Sequence, residues 1–312
     1  MFLARGLKHL PDLAKGCVAT IGNFDGVHIG HRAVIEDLAA QGRRLGLPTV
    51  VVLFEPQPRE YFDSALAPSR LTRFREKLTQ LNRLPVDGVL VLHFDRHLAG
   101  CSAEDFIQTV LLDSLRVKYL VVGDDFRFGK NRRGCSNMLK TAGAANGFAV
   151  ADTGSVLKDG ERVSSTLIRE ALAAGNMVDA ARYLGRPYSI IGRVCAGARL
   201  GRQLGFPTAN IALMRKKTPL QGVFAVTMEG IVGHPLNGVA NVGLRPTVGG
   251  QGTMQLETHL FDFDGDIYGH LVEVHFHHKL REERRFQSIT ALREQIETDA
   301  DQARAYFTNR NV

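Results

Sequence analysis

Apolar and polar positions divide the chain into two unlike halves. In the first, β-branched runs at Cys17–Ile21, Thr49–Phe54, Gly88–Leu92 and Tyr119–Val122 are apolar almost throughout. Longer stretches between them, such as Ala33–Leu45 and Ala103–Leu112, carry apolar residues at helical spacing. Continuous apolar strands separated by helices predict a parallel sheet covered on both faces, an α/β layer architecture. In the second half, Ser189–Val194, Val223–Met228, Gly238–Val242, Gln255–Phe261 and His270–Phe276 are short candidate strands, punctuated by Gly, Pro and Asn. No helical pattern lies between them, which predicts an antiparallel barrel or sandwich. The chain closes on an amphipathic helix, with Ile289, Leu292, Ile296 and Phe307 as its apolar face and Ser288 as its N-cap. Gly185 and Pro187 stop a preceding helix, so the boundary is expected near Gly185–Tyr188, giving domains 1–185 and 186–312.

Composition narrows the picture. A length of 312 residues suits two domains. With 44% hydrophobic and 23% charged residues, global disorder is excluded. A net charge of +7 fits phosphate-bearing ligands without demanding nucleic acid. Aromatic residues are 7% with no Trp, poor for stacking on bases, so no nucleic-acid partner is expected. Cys17, Cys101, Cys135 and Cys195 form no C-x-x-C pair, which argues against a zinc cluster or a disulfide framework. There is no signal-peptide pattern and no apolar run near the ~18 residues of a membrane span. A soluble cytoplasmic protein with reduced thiols and no membrane partner is expected.

Chemistry concentrates in two places. Gly22-Asn23-Phe24-Asp25-Gly26-Val27-His28-Ile29-Gly30-His31 follows the first strand and opens the first helix. Such a strand-to-helix turn is where α/β folds bind ligands, and a helix N-terminus favours phosphate. Gly22, Gly26 and Gly30 permit close backbone approach. His28 and His31, three apart, would share one face and could donate hydrogen bonds to a triphosphate as pyrophosphate departs. Gly123-Asp124-Asp125-Phe126-Arg127-Phe128-Gly129-Lys130 follows a second strand and carries acids and bases. Its cluster Arg127, Lys130, Arg132 and Arg133 reads equally as a solvated loop. Ser164-Ser165-Thr166-Leu167-Ile168-Arg169 begins a helix, where Ser and Thr serve either as caps or as phosphate contacts beside Arg169.

The second place opens the C-terminal half, at Gly197–Asn210. Gly201 and Gly205, with Arg199 and Arg202, form a glycine-rich loop able to cradle phosphates, although no Walker signature is present. Thr208 and Asn210 offer oxygen ligands suited to Mg²⁺ beside substrate phosphates. Glu257 shares a strand face with His259. It is either a solvent-facing carboxylate or a general base for a substrate hydroxyl, and spacing alone does not decide. The run His275-Phe276-His277-His278 has no carboxylate or Cys partner at recognisable ligand spacing, so a metal reading is not favoured.

His28-Ile29-Gly30-His31 is similar to the signature shared by nucleotidylyltransferases and one class of aminoacyl-tRNA synthetases. The ordered set G-N-F-D-G-V-H-I-G-H, G-D-D-F-R-F-G, S-S-T-L-I-R, L-G-F-P-T-A-N-I, G-V-A-N-V-G-L-R-P-T and L-E-T-H-L-F-D-F-D-G-D-I-Y-G resembles the bacterial bifunctional riboflavin kinase/FAD synthetases, from Gly22 to about Phe307. The resemblance implies a Rossmann-like FMN adenylyltransferase followed by a Greek-key β-barrel riboflavin kinase with a terminal α-helix. It implies riboflavin, FMN and ATP as substrates and Mg²⁺ as cofactor. On matching positions, it implies that Glu257 is the catalytic carboxylate, and that Thr208 and Asn210 after Pro207 contact Mg²⁺ and ATP. Gly201 and Gly205 would fall in the loop over the nucleotide, and Arg281 near the flavin. His28 and His31 would bind the ATP phosphates of the other site. Gly22, Asn23, Phe24, Asp25, Gly30, Asp125, Arg127, Ser164, Thr166 and Arg169 would surround them. Three rivals are weaker. A synthetase would need a second, Lys-rich ATP-binding signature and an anticodon-binding region, a non-enzymic flavin or nucleic-acid binder is disfavoured by dispersed basic residues and few aromatics, and a single-activity enzyme would leave one set of expected catalytic residues unexplained.

Overall fold

The computed structural model describes residues 1–123, 125–154, 156–197, 205–215, 217–245 and 253–309. The chain divides into two compact units, one of Met1–Pro68 with Thr72–Val163, the other of Ser69–Leu71 with Ser164–Val312.

The first unit runs β1 (Phe2–Arg5), β2 (Cys17–Ile21), α1 (Ile29–Leu45), β3 (Thr49–Glu55), α2 (Pro58–Phe62), α3 (Phe74–Leu81), β4 (Gly88–His93), α4 (Arg96–Gly100) and α5 (Ala103–Phe106). It continues through β5 (Val117–Gly123), the small ribbon β6 (Arg127–Phe128) and β7 (Gly134–Cys135), α6 (Ser136–Asn146), β8 (Ala149–Thr153) and the ribbon β9 (Leu157–Lys158) and β10 (Glu161–Arg162). Six strands form one parallel sheet in the order β1-β4-β3-β2-β5-β8. Alternate residues of β3 feed two cores. Val50, Val52 and Phe54 pack with Leu90, Phe106 and Leu120, while Val51 and Leu53 pack with Ile35, Leu81 and Val89. Burial on both faces is why these strands read as unbroken apolar runs. The expected helix Ala103–Leu112 differs in form: after Phe106 it widens into a π-helical stretch, Ile107–Ser114, that still turns Ile107, Val110 and Leu111 into the core.

Strand order reverses beside β2. The chain lays β3 and β4 to one side of it and β5 and β8 to the other. The carboxyl ends of β2 and β5 therefore flank the topological switch point, where open parallel sheets take ligands.

The second unit begins with α7 (Ser165–Ala173) and α8 (Met177–Leu184), which Gly185 ends in a left-handed C-cap. Then come β11 (Tyr188–Cys195), β12 (Thr208–Ile211), β13 (Gly222–Glu229), β14 (Leu236–Arg245), β15 (Thr253–Leu260) and β16 (Leu271–Arg281). They close an antiparallel barrel in the order β11-β12-β15-β14-β13-β16. Three meandering strands with β16 returning beside β13 make a Greek key, and the sheet closes on itself through β11 and β12. Ile190, Phe224, Leu256, Val274 and Phe276 are buried. One strand was not foreseen: Thr208–Ile211 reads as loop in the sequence but pairs with both β11 and β15.

The last helix, α9 (Ile289–Thr308), is capped by Ser288, whose hydroxyl accepts from Ala291 N at 3.1 Å. Its buried face is the expected stripe, on which Leu292, Ile296 and Phe307 are half-buried, with one exception at the first turn. Ile289 is 66% exposed, while Asp299, Ala300 and Ala303 face inward with Tyr306 and Phe307 beside Val223, Ala225 and Val239. Small residues let the helix lie close on the strands, and the apolar position at its first turn extends beyond them.

Candidate functional site

The end of β2 is built around backbone strain. Phe24 and Val27 hold left-handed φ of 46° and 43°, with Gly26 at 87° between them. Two non-glycine residues in that region cost of order 1–3 kcal/mol each and persist only when their surroundings fix them. Two anchors do so. The buried Asp25 carboxylate accepts from Thr72 N at 2.9 Å and from its hydroxyl at 3.2 Å, while Thr72 Oγ1 accepts from Gly26 N at 2.9 Å. The Lys77 ammonium, on α3, donates to Asn23 O at 2.5 Å and is only 1% exposed.

The turn delivers His28 as the N-cap of α1 rather than as its first helical residue, and Nδ1 of its ring accepts from His31 N at 3.4 Å. The two imidazoles stack with centroids 3.6 Å apart, and Phe24 lies 4.8 Å from His31. His31 Nδ1 is buried without a hydrogen-bond partner. Burial, then the charges of His28 and Lys77, hold the His31 imidazole well below the usual histidine range, so it rests neutral. Gly30 leaves room for the ring of His28, because a Cβ there would lie 3.2 Å from it. The N-terminus of α1, two imidazoles and a buried ammonium make a site for negative charge. Gly22 is half-buried and Asn23 exposed at the mouth of this turn.

Asp125 and Arg127 follow β5, the neighbour of β2, and both are exposed. Gly22, Asn23, Phe24, Asp25, His28, Gly30, His31, Asp125 and Arg127 thus gather at the two strand ends of the switch point. Ser164, Thr166 and Arg169 begin the second unit. Ser164 caps α7 by accepting from Leu167 N at 3.2 Å, Thr166 is exposed, and Arg169 Nε donates to Ser69 O at 2.7 Å.

On the barrel, register does the assembling. Asn210 on β12 lies directly opposite Glu257 on β15, and Glu257 lies opposite Asn241 on β14. Thr208 is opposite His259. These residues share one face, and Thr208, Asn210, Glu257 and His259 are all partly exposed on it. Asn210 Oδ1 accepts from Gln255, and Gly197 packs on the Asn210 amide, which a Cβ would invade at 2.2 Å. His259 Nδ1 donates to Pro207 O at 2.9 Å, and burial and Arg304 keep its ring below the ordinary histidine range. Gly205 takes a left-handed φ of 87° just before this strand. Gly201, with the loop around it, lies outside the described residues. A cavity of about 400 Å³ opens beside Pro207, Thr208 and Thr258 and is also lined by Phe263, Asp264 and Tyr268. The buried Thr258 hydroxyl has no partner and lines it.

Arg281, at the end of β16, forks onto the buried Asp299 of α9, with Nε–Oδ1 at 2.8 Å and Nη2–Oδ2 at 2.7 Å. Two residues on, Glu283 accepts from Asn241 Nδ2 at 3.2 Å, which ties this segment to the row containing Glu257.

Sequence reasoning missed Lys77, Thr72, Asn241, Thr258 and Asp299. Lys77 carried a usable signal, since it falls on the apolar side of α3 with Phe74, Leu78 and Leu81. The others act across strands or over long separations and left none.

Fold and side chains together are those of a two-domain enzyme transferring phosphate-bearing groups. Residues 10–167 match the FAD synthetase family and residues 184–307 the riboflavin kinase family. The bifunctional riboflavin kinase/FMN adenylyltransferase of Haemophilus influenzae is 49% identical over 99% of this chain and 100% of its own length. That of Pseudomonas fluorescens is 50% identical over 98% of this chain and 97% of its own. A solved structure described as a macrolide-efflux protein from Streptococcus pneumoniae has a TM-score of 0.82 at 28% identity, covering 97% of this chain and 99% of that one. The efflux description is that protein's own. Among the described residues here, no helix is long and apolar enough to cross a membrane. The chain belongs to the bifunctional riboflavin kinase/FMN adenylyltransferase family.

Proposed function

We propose that the barrel phosphorylates riboflavin and that the α/β half turns the product into FAD, with the functional division at residues 1–185 and 186–312. In the first reaction, the riboflavin 5′-hydroxyl oxygen bonds to the γ-phosphorus of ATP as the β–γ bridge bond breaks, giving FMN and ADP. Glu257 accepts the hydroxyl proton, a task suited to a carboxylate beside a neutral attacking group. Arg281, held by Asp299, lies near the flavin. In the second, an FMN phosphate oxygen bonds to the α-phosphorus of a second ATP, and pyrophosphate leaves with the α–β bridge oxygen. That nucleophile is already anionic, so no base is needed. His28 and His31 hold the phosphates. A triphosphate beside them would draw a proton onto the neutral His31, placing charge where pyrophosphate departs. Gly22, Asn23, Phe24, Asp125, Arg127, Ser164, Thr166 and Arg169 contribute to this site, and Asp25 through its grip on Thr72.

Thr208 Oγ and Asn210 Oδ1 are hard oxygen donors beside Glu257, a donor set that fits Mg²⁺ sharing its remaining positions with phosphates and water. When bound, Mg²⁺ neutralises phosphate charge. Chelation with EDTA is expected to stop both reactions. The cytoplasm, with its ATP and free flavins, is the compartment this chemistry suits.

The register that sets Asn210 opposite Glu257 is the observation that carries the kinase assignment. ATP labelled at the α- or γ-phosphorus tests the bond changes. Starting from riboflavin, the γ-label should enter FMN and FAD, and the α-label should enter FAD alone. An α-label in FMN would overturn the scheme.

A further inference from the structure

Outside both sites, the wall of the barrel holds a third cluster of chemistry-bearing side chains. Glu273 and His275 sit two apart on β16, so they share a face, and Glu229 on β13 is directly opposite Glu273. One ligand atom from each of the three lies within 4.8 Å of the others. We propose that Glu229, Glu273 and His275 form a divalent-cation site of the zinc class, with an open fourth position for water.

His275 Nε2 is buried and makes no hydrogen bond, yet stands 3.5 Å from Glu229 Oε1. That is too long for an N–H···O bond. It matches the edge of a tetrahedron with ~2.1 Å arms, about 3.4 Å, the geometry zinc takes with nitrogen and oxygen ligands. Two carboxylates and a neutral imidazole would balance the charge of a divalent ion. Glu273 is already oriented, because Ser189 Oγ on β11 donates to its Oε1 at 2.6 Å. Outer hydrogen bonds of this kind commonly aim metal ligands. The Glu229 side chain is 49% exposed and gives the ion a path from solvent, whereas His275 is 16% exposed.

The other two histidines of the run take no part. His277 Nε2 meets Thr227 Oγ1 at 2.9 Å, and His278 stacks on Tyr306 with centroids 5.2 Å apart. Nor does the cluster belong to the kinase set. In the closed order β11-β12-β15-β14-β13-β16, the pair β13 and β16 is separated from β12 and β15 by β14 on one side and β11 on the other. A cation here would bridge β13 and β16 with no role in phosphate chemistry.

The test is titration of the untagged full chain with Zn²⁺ alone, without Mg²⁺ or nucleotide, followed by Co²⁺ as a visible-absorption reporter of geometry. Wild type should bind one ion and give the intense bands of tetrahedral Co²⁺. Glu229→Gln and His275→Gln should abolish the bands, and Ser189→Ala should weaken binding about tenfold. Riboflavin phosphorylation with Mg²⁺ should be unchanged in all three, reporting an intact barrel. If His275→Gln does not fold, Glu229→Gln, altered at an exposed carboxylate, carries the comparison. A Cys195→Ser background excludes capture by that exposed thiol. Binding that is equal in wild type and Glu229→Gln, or no saturable binding, would mean that His275 and Glu229 form a simple ion pair and would overturn the proposal.

Discussion

Lys77 sets the clearest conflict at the scale of single residues. An ammonium that is 1% exposed is tolerated only with compensation, and here it ties α3 to the strained turn through Asn23 O. Lys77→Met removes that donor, at a cost of about 1–3 kcal/mol in stability. It should also slow FAD formation from FMN at least tenfold, about 1.4 kcal/mol in the barrier, while FMN formation from riboflavin is unchanged. Product-resolved chromatography reads both. His31 gives a pH signature. Its folded-state pKa lies below its unfolded value, so the unfolded chain binds more protons as pH falls. The associated stability is present above the ordinary histidine value of about 6.5 and is lost below it. Melting temperatures across that range should fall more steeply in wild type than in His31→Gln, and equal slopes would contradict the assignment. The histidine pair was legible because the motif is local. Lys77, 54 positions from Asn23, was not, because a sequence shows that a lysine is on an apolar face but not what it reaches.

Among elements, α9 and β12 carry the lessons. The helix is attached by packing of Ala300 and Ala303 and by the forked Arg281–Asp299 pair, whose carboxylate is 4% exposed. Breaking a buried pair from one side leaves a desolvated charge, so Asp299→Ala should cost about 3–5 kcal/mol and lower the barrel's melting temperature. The same substitution frees Arg281 and should raise the KM for riboflavin more than that for ATP. Periodicity located α9, its Ser288 cap and its face, but not that Ala300 and Ala303 are its deepest positions and Ile289 its exposed one, since a pattern drawn from large apolar residues overlooks alanines that allow close approach. β12 was missed for a different reason. Four residues after Gly-Phe-Pro carry almost no strand pattern, and only the partners β11 and β15 make them one. The feature that turns Glu257 from a strand carboxylate into a candidate base, its place opposite Asn210, is therefore a property of register that spacing cannot express.

For the whole molecule, the change from long-period to short-period patterning made the two-domain plan legible, and the parallel sheet and antiparallel barrel follow it. The helices at 165–184 were less legible. They fall with the second compact unit. The central claim is two separable activities on one chain. The most direct measurement supplies riboflavin or FMN, each with ATP and Mg²⁺, to wild type, Glu257→Gln and His28→Ala/His31→Ala, and resolves the flavins by chromatography. Glu257→Gln should make FAD from FMN at the wild-type rate and almost nothing from riboflavin, and the double histidine variant should convert riboflavin to FMN and stop. Loss of FAD formation from FMN in a folded Glu257→Gln, or FAD made at the wild-type rate without the two histidines, would contradict the assignment of the two sites.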